Sequence, residues 1–431
     1  MGPIALFDKS FIEMLNVDEA AVFDALYSSV ICPVFFTEVL ADLSLSEVAA
    51  GDRAVERIVG DVAKKTPVMH STPNLLHTTI CLGEMMGHPV EMRRVPLRAA
   101  GQKVRRSDGS VGVIYKNAPE AEAFDRWQRG QFREIERDFA ARWREQLTSI
   151  DPALMAKLTK AILKISSSPR NLKEAMTIAR DVVHGEGQNF FTLKSAYHLL
   201  GLPPKWFTSV QKRWTEIGRP PFAKFAPYTA HCLLVDVFFY VAVDKKLIDP
   251  IRRSNRVDMA YLYYLPFTMV FISNDKLHRR TVPLFLNQDQ EFVFGVDLKR
   301  DLANLDAYYS GRPESERAEG LFRLASYPPN DDSFLTTGIW RRLGLKTERT
   351  SGNDLPEGLA SALLASVKEM EAAVGASTGG SFTASEINNP TQVTIRRLIP
   401  VQRGKWRSAH GRAGWRSRGL PLPRSQPHVA P

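Results

Sequence analysis

Short apolar runs alternate with amphipathic helices at both ends of the first 310 residues, and a long, almost wholly helical block separates the two ends. Strand–helix alternation with continuous apolar strands is the signature of a mostly parallel sheet buried on both faces. Ile4–Phe7 reads as the first buried strand, with Asp8 at its C-terminal end. Amphipathic helices follow around Phe11 and over Asp18–Tyr27. Cys32-Pro33 opens the next helix, on which Phe35, Val39 and Leu43 share one face and place Glu38 near the core side. Further on, Tyr228–Val243 and Val257–Leu265 read as helices, Thr268–Ser273 as an apolar strand running into Asn274-Asp275, Lys276–Leu286 as a helix, Phe292–Val296 as a strand and Asp297–Tyr309 as a helix. The expected fold class is therefore α/β, a three-layer α/β/α arrangement with a mostly parallel central sheet, interrupted by a large helical insertion.

The insertion runs from 91 to 225. Val95–Val104 and Val111–Tyr115 flank Ser107-Asp108-Gly109-Ser110 as a hairpin. Helices then continue from Pro119 to Trp214, broken at Asp151-Pro152, Ser168-Pro169 and Leu202-Pro203-Pro204, where each proline can restart a helix. The α/β part is thus discontinuous, 1–90 with 226–310. Residues 311–374 read as a C-terminal helical extension with a helix at Leu355–Ala373. Residues 375–431 read as a disordered, basic tail rich in arginine, proline and glycine.

Charge locates that tail. The chain carries a formal +10, from 57 Lys+Arg against 47 Asp+Glu. Nine of the basic residues and no acid fall in 391–431, which leaves 48 against 47 for the rest. Any polyanion must therefore be held by the tail or by a local patch of the body. At 44% apolar and 24% charged the chain has ample material for a core. Cys32, Cys81 and Cys232 are too sparse and too widely spaced for a disulfide framework or a zinc site, so a reducing, cytoplasmic setting is expected. The longest apolar stretch, about Cys232–Val243, is interrupted by Asp236 and falls well short of the ~20 residues of a membrane span.

Four acids stand in settings that suggest chemistry. Asp8 and Asp275 end strands, and strand C-termini gather at the edge of a parallel sheet where ligands bind. Glu38 and Asp258 sit on helices, and Asp236 is a secondary candidate. Carboxylates brought together repel, and a hard cation offsets that repulsion; oxygen-only donors select Mg²⁺ or Mn²⁺. Each acid also has a purely structural reading. Asp8 and Asp275 can cap helix N-termini, Asp258 can favour a helix dipole, and Glu38 can be a solvated helix residue.

The segments Leu6-Phe7-Asp8-Lys9-Ser10-Phe11, Cys32-Pro33-(x4)-Glu38-Val39-Leu40, Asn255-Arg256-Val257-Asp258 and Phe271-Ile272-Ser273-Asn274-Asp275-Lys276 resemble the PIN-domain family of metal-dependent ribonucleases. The resemblance spans about residues 1–90 and 226–309, and the long insertion departs from the compact family pattern. It implies a metal-dependent endoribonuclease that hydrolyses RNA phosphodiester bonds. Asp8, Glu38, Asp258 and Asp275 would be the catalytic and Mg²⁺ or Mn²⁺ ligands, supported by Ser10, Ser273 and Asn274. The rival is an inactive protein of the same organisation that binds RNA or another protein. Single-stranded DNA as substrate stays open, and so does the oligomeric state, a homodimer included.

Other candidates are weaker. Arg126, Arg129, Arg133, Arg137 and Arg144 recur at helical spacing beside the apolar Phe132, Ile135, Phe139, Trp143 and Leu147, which offers a phosphate-binding stripe. Interleaved acids such as Asp125 and Glu136 can pair with the same arginines. His77, Glu84 and His88 lie close in sequence without the order of a zinc-binding helix. Trp406 and Trp415 among the tail arginines resemble a nonspecific single-strand binder.

Overall fold

The computed structural model describes residues 2–46, 54–67, 72, 73, 75–94, 101–105, 111–115, 119–185, 189–348, 365 and 401–408. The protein is mixed α/β and mostly helical, with one small parallel sheet. Its strands are β1 (Ile4–Phe7), β2 (Ser28–Ile31), the two-residue β3 (Thr72–Pro73), β6 (Val270–Ser273) and β7 (Glu291–Phe294), in the order β3-β2-β1-β6-β7. A separate antiparallel hairpin pairs β4 (Gly101–Arg105) with β5 (Val111–Tyr115). The turn between them and residues 95–100 lie outside the described residues.

The apolar character of β1 and β6 follows from their place. They are the inner strands, paired through Ala5↔Val270, Leu6↔Phe271 and Phe7↔Ile272, and both are buried almost throughout. From β1 the chain moves outward to β2 and β3. It returns after the insertion to the other side of β1, as β6, and moves outward again to β7. The order therefore reverses between β1 and β6, the position at which open parallel sheets leave a crevice beyond the strand C-termini. Asp8 and Asn274-Asp275 follow directly at those two ends.

The insertion does not stand apart. Helix Pro119–Gln128 packs on helix Val55–Lys65, and helix Glu134–Ser149 packs on helix Pro33–Ala41. At that junction Trp127 is fully buried, stacked on Phe36 with ring centroids 5.1 Å apart, while Phe124 meets Phe35 at 5.9 Å. This aromatic contact seats the helix that carries Glu38. Farther along, helices Pro152–Ile162 and Leu172–His184 pack on Pro227–Asp244. That helix is apolar on nearly every side, as a helix surrounded by protein must be. A continuous set of buried side chains thus runs from the sheet into residues 119–225, which the sequence alone would set apart.

Buried acids distant in sequence also cap helix N-termini in this core. Glu84 accepts from Tyr228 N at 2.9 Å, Thr229 N at 2.8 Å and the Thr229 hydroxyl at 2.9 Å. Asp301 does the same for helix Leu335–Arg342, through Leu335 N, Thr336 N and Thr336 Oγ1. Orphan N–H groups at a buried helix start need such acceptors.

The tail differs from the sequence expectation in one segment. Val401–Arg403 and Trp406–Ser408 form a hairpin on the body, with Trp406 only 5% exposed. Its anchors are acids of the body. Arg403 pairs with Asp24 at 3.3 Å, Lys405 N donates to Asp18 at 2.9 Å, and Lys405 Nζ and Trp406 Nε1 donate to Asp306 at 2.6 and 2.7 Å. Gly404 turns the hairpin at φ +56°, and a Cβ there would strike Asp18 Oδ1. The rest of 375–431, like the helix expected at Leu355–Ala373 apart from Ala365, lies outside the described residues.

Candidate functional site

Asp8 is positioned by local and distant groups together. As N-cap of helix Lys9–Met14 its Oδ1 accepts from Phe11 N at 3.0 Å. The Ser10 hydroxyl lies 2.9 and 2.8 Å from its two oxygens, and the Ser273 hydroxyl at the end of β6 donates to Oδ2 at 2.6 Å. Ser10 Oγ also accepts from Asn274 N at 3.3 Å, which ties the two strand ends together. Asp275 caps the next helix, Lys276–Thr281, through Leu277 N at 2.5 Å. The capping and the clustering readings of these aspartates therefore hold at once. A cap uses one oxygen and leaves the second for other partners, Ser10 and Ser273 at Asp8 and Arg252 at Asp275.

Glu38 and Asp258 enter from helices. Glu38 accepts a hydrogen bond from the fully buried Tyr261 hydroxyl. Burial raises its carboxyl to about 7 against the Tyr261 hydrogen bond, and the charges of Asp258 and Asp8 push the same way. Asp258 rises to about 6, again chiefly through burial, with Asp275 and Asp8 adding to the rise and His278 and Arg252 opposing it. The acids thus act on one another electrostatically across four chain segments. Asp258 is 9% exposed, and its buried Oδ2 accepts no hydrogen bond among the described residues.

Among the described residues Arg252 and His278 contact this acidic group, and the charge of Lys9 also acts on Glu38. Arg252 Nη2 lies 3.2 Å from Asp275 Oδ2 and 3.8 Å from Asp258 Oδ2. His278 is wholly buried beneath Asp8: its Nδ1 is 2.8 Å from Ser273 Oγ and 3.4 Å from Asp8 Oδ2, and its Nε2 is 2.7 Å from the Asp258 carbonyl. Burial disfavours the imidazolium, but the Asp8 hydrogen bond and charge, the charge of Asp258 and the Asp258 carbonyl outweigh it and raise His278 to about 9. A charged ring donates from both nitrogens, which matches two acceptors on opposite sides. As they stand, no three His, Cys, Asp or Glu side chains among the described residues are gathered as ligands of one ion.

Sequence reasoning missed Arg252, Tyr261 and His278. Only His278 carried a local signal, three residues after Asp275 on the helix that Asp275 caps. Asp236 does not join the group. It is fully buried and held by Arg256 Nη2 at 3.0 Å and the Tyr263 hydroxyl at 2.5 Å. Nor do His77, Glu84 and His88 form a centre: Glu84 is a cap, and His77 packs on the Tyr263 ring at 4.4 Å with burial lowering it to about 3.

The expected arginine stripe is corrected as well. The helix breaks between Gln128 and Glu134, with Gly130 at φ +70°, so Arg126 lies on one helix, Arg137 and Arg144 on the next, and Arg129 and Arg133 in the break between them. Arg126 binds Glu136, Arg129 binds Asp125 at 2.7 Å, Arg137 binds Glu56 at 2.8 Å, and Arg144 donates to Ser44 and the Ala41 carbonyl. Arg133 is exposed at the break.

Comparison of the chain with protein-family models, with curated proteins and with solved structures finds no match. Among the described residues no helix is long and apolar enough to cross a membrane.

Proposed function

We propose that this protein is a Mg²⁺- or Mn²⁺-dependent endoribonuclease of PIN-like, three-layer α/β/α organisation, acting through Asp8, Glu38, Asp258 and Asp275. The observation that carries the reading is the unpartnered, buried Oδ2 of Asp258, which faces the same guanidinium as Asp275 at the reversal point of the sheet. A buried anionic oxygen without a hydrogen bond is costly, and a hard cation is the ligand that would satisfy it. The donor set fits, being oxygen throughout.

A bound Mg²⁺ or Mn²⁺ lowers the pKa of a water molecule and offsets charge that builds up at phosphorus. The chain supplies the rest. Asp258 Oδ2, which accepts no hydrogen bond among the described residues, and Asp275 Oδ2, now paired with Arg252, would hold the ion. Ser10, Ser273 and Phe11 N fix the Asp8 carboxylate in one orientation. Glu38, raised to about 7, takes up or releases a proton near neutrality, the property a general base needs, and Tyr261 holds it in place. RNA contacts through Arg129 or Arg137 would have to compete with exposed ion pairs each worth about 1 kcal/mol or less, and Arg126 with a largely buried pair to Glu136.

An inactive protein of the same organisation, binding RNA or protein, is the second reading. It is favoured by Arg252 and His278, which already offset the acidic charge from within the chain. Labelled RNA incubated with Mn²⁺, and with a chelator, tests the choice on wild type and Asp275→Asn. Asn still caps the helix and gives up only an exposed pair with Arg252. Cleavage that needs Mn²⁺ and collapses in the variant supports the enzyme. RNA binding without cleavage supports the second reading, and undiminished cleavage in the variant removes Asp275 from the site.

A further inference from the structure

Three cations touch the acids in and behind the crevice, and they differ in how firmly they are held. His278 is buried completely and bonded on both ring nitrogens. Arg256 is locked on Asp236 and the Tyr263 hydroxyl, with its own side chain 18% exposed and that of Asp236 fully buried. Arg252 is different: its side chain is 55% exposed, and its contacts to Asp258 and Asp275 come from one nitrogen at 3.8 and 3.2 Å. It reaches them from the turn between helices Pro227–Asp244 and Ser254–Ala260. Asp249 Oδ1 accepts from Ile251 N at 2.8 Å in that turn, and Asn255 Nδ2 donates to the Asp249 carbonyl at 3.0 Å. Its Nε donates to Ser254 Oγ at 3.0 Å, which steers the guanidinium toward the acids. The backbone of the turn is tethered, while the charged head is more than half exposed to water.

We propose that Arg252 is an exchangeable internal counter-ion that covers Asp258 and Asp275 when no divalent cation is present and is expelled when one binds. The inference rests on the metal reading of the site. Without the guanidinium, the Asp258 and Asp275 carboxylates would face one another partly dehydrated, with the buried His278 as the remaining positive charge acting on Asp258. With it, the acids stay in place. The hold is weak, because an exposed pair on one nitrogen is screened by water, whereas a divalent ion brings twice the charge to both oxygens at once. The same displacement frees a guanidinium at the rim, beside the exposed Arg253.

Competition makes a direct prediction: removing Arg252 should tighten cation binding. Mn²⁺ is titrated calorimetrically into wild type, Arg252→Gln and Arg253→Gln. The last removes the same charge one residue away, with no contact to the acids. Arg252→Gln should lower the Mn²⁺ dissociation constant by about two- to fivefold, and Arg253→Gln by less than about twofold. Arg252→Lys, which restores a positive charge on a flexible stem, should return most of the way to wild type. Equal or weaker binding in Arg252→Gln, or equal tightening in both Gln variants, overturns the role of Arg252 and leaves the metal reading standing. No Mn²⁺ binding in any of the proteins removes both.

Discussion

His278 Nδ1 and Asp8 Oδ2 lie 3.4 Å apart beneath the strand ends, with the Ser273 hydroxyl within hydrogen-bonding distance of each. The pair brings β1, β6 and the helix after β6 to one point, and His278 Nε2 adds the helix that carries Asp258. Ser273 and His278 thus supply polar partners to a carboxylate buried inside the protein.

This pair makes stability fall on the alkaline side. His278 is raised to about 9 from an ordinary 6.5, so its contribution is complete below about pH 6.5 and is lost as pH rises through about 9. The loss should be on the order of 3 kcal/mol. Denaturant unfolding between pH 6 and 10 should show the fall in wild type, and His278→Gln should be less stable at pH 6 and flatter across that range. An equal slope in both proteins would place the alkaline loss elsewhere.

Glu38 and Asp258 act over a lower window with the same sign. Their folded values, about 7 and about 6, lie above the ordinary 4.5 and 3.8, so each stabilises most when protonated. Metal-free stability should therefore decline as pH rises from about 4 to about 7. Glu38→Gln, which keeps an acceptor for Tyr261 and carries no charge, should remove the upper part of that decline. Unfolding midpoints at half-unit steps check it, and an unchanged profile would mean Glu38 does not titrate there.

The C-terminal hairpin divides the tail into two functional lengths. Ending the chain after residue 410 should leave stability within about 0.5 kcal/mol of the full protein. Ending it after residue 400 should cost about 2 kcal/mol, because the buried Trp406 and the Arg403–Asp24 pair go with it. Gly404→Ala should approach the shorter truncation, since the new methyl group meets Asp18 Oδ1 and the positive φ disfavours any side chain. Thermal melting of the three variants is the measurement.

The Asp236–Arg256 pair is structural, and its two halves should be inseparable. Arg256→Met leaves a buried carboxylate with only the Tyr263 hydroxyl, a loss of about 3–5 kcal/mol. Replacing Asp236 by Leu as well should recover most of that, because the uncompensated charge is then gone. A double variant no more stable than Arg256→Met would show that packing, not charge, sets the cost.

The inner strands and the acids that end them were legible in the sequence for a local reason. A strand buried on both faces is largely apolar, as Ile4–Phe7 and, up to its final serine, Val270–Ser273 are, and an N-cap reaches only two or three residues along its own chain. Asp8 bonded to Phe11 N and Asp275 bonded to Leu277 N need no tertiary information. The helical character of 119–225 was equally local, apart from the break at Gly130, which a run of charged residues concealed.

Which strands became neighbours, and what the acids then met, belonged to the tertiary structure alone. β6 pairs with β1 across the whole insertion, and only that pairing brings Ser273 and His278 to Asp8 and Tyr261 to Glu38, while Arg252 meets Asp258 and Asp275 where helix Ser254–Ala260 packs on helix Lys276–Thr281. The same holds for the tail. Composition marks residues 401–408 as part of a basic extension, and they gain a fixed place only because Asp18, Asp24 and Asp306 converge on one surface. A side chain's propensity is set within a few residues of it, whereas its charge partner and its dielectric surroundings are set by whatever the fold packs against it.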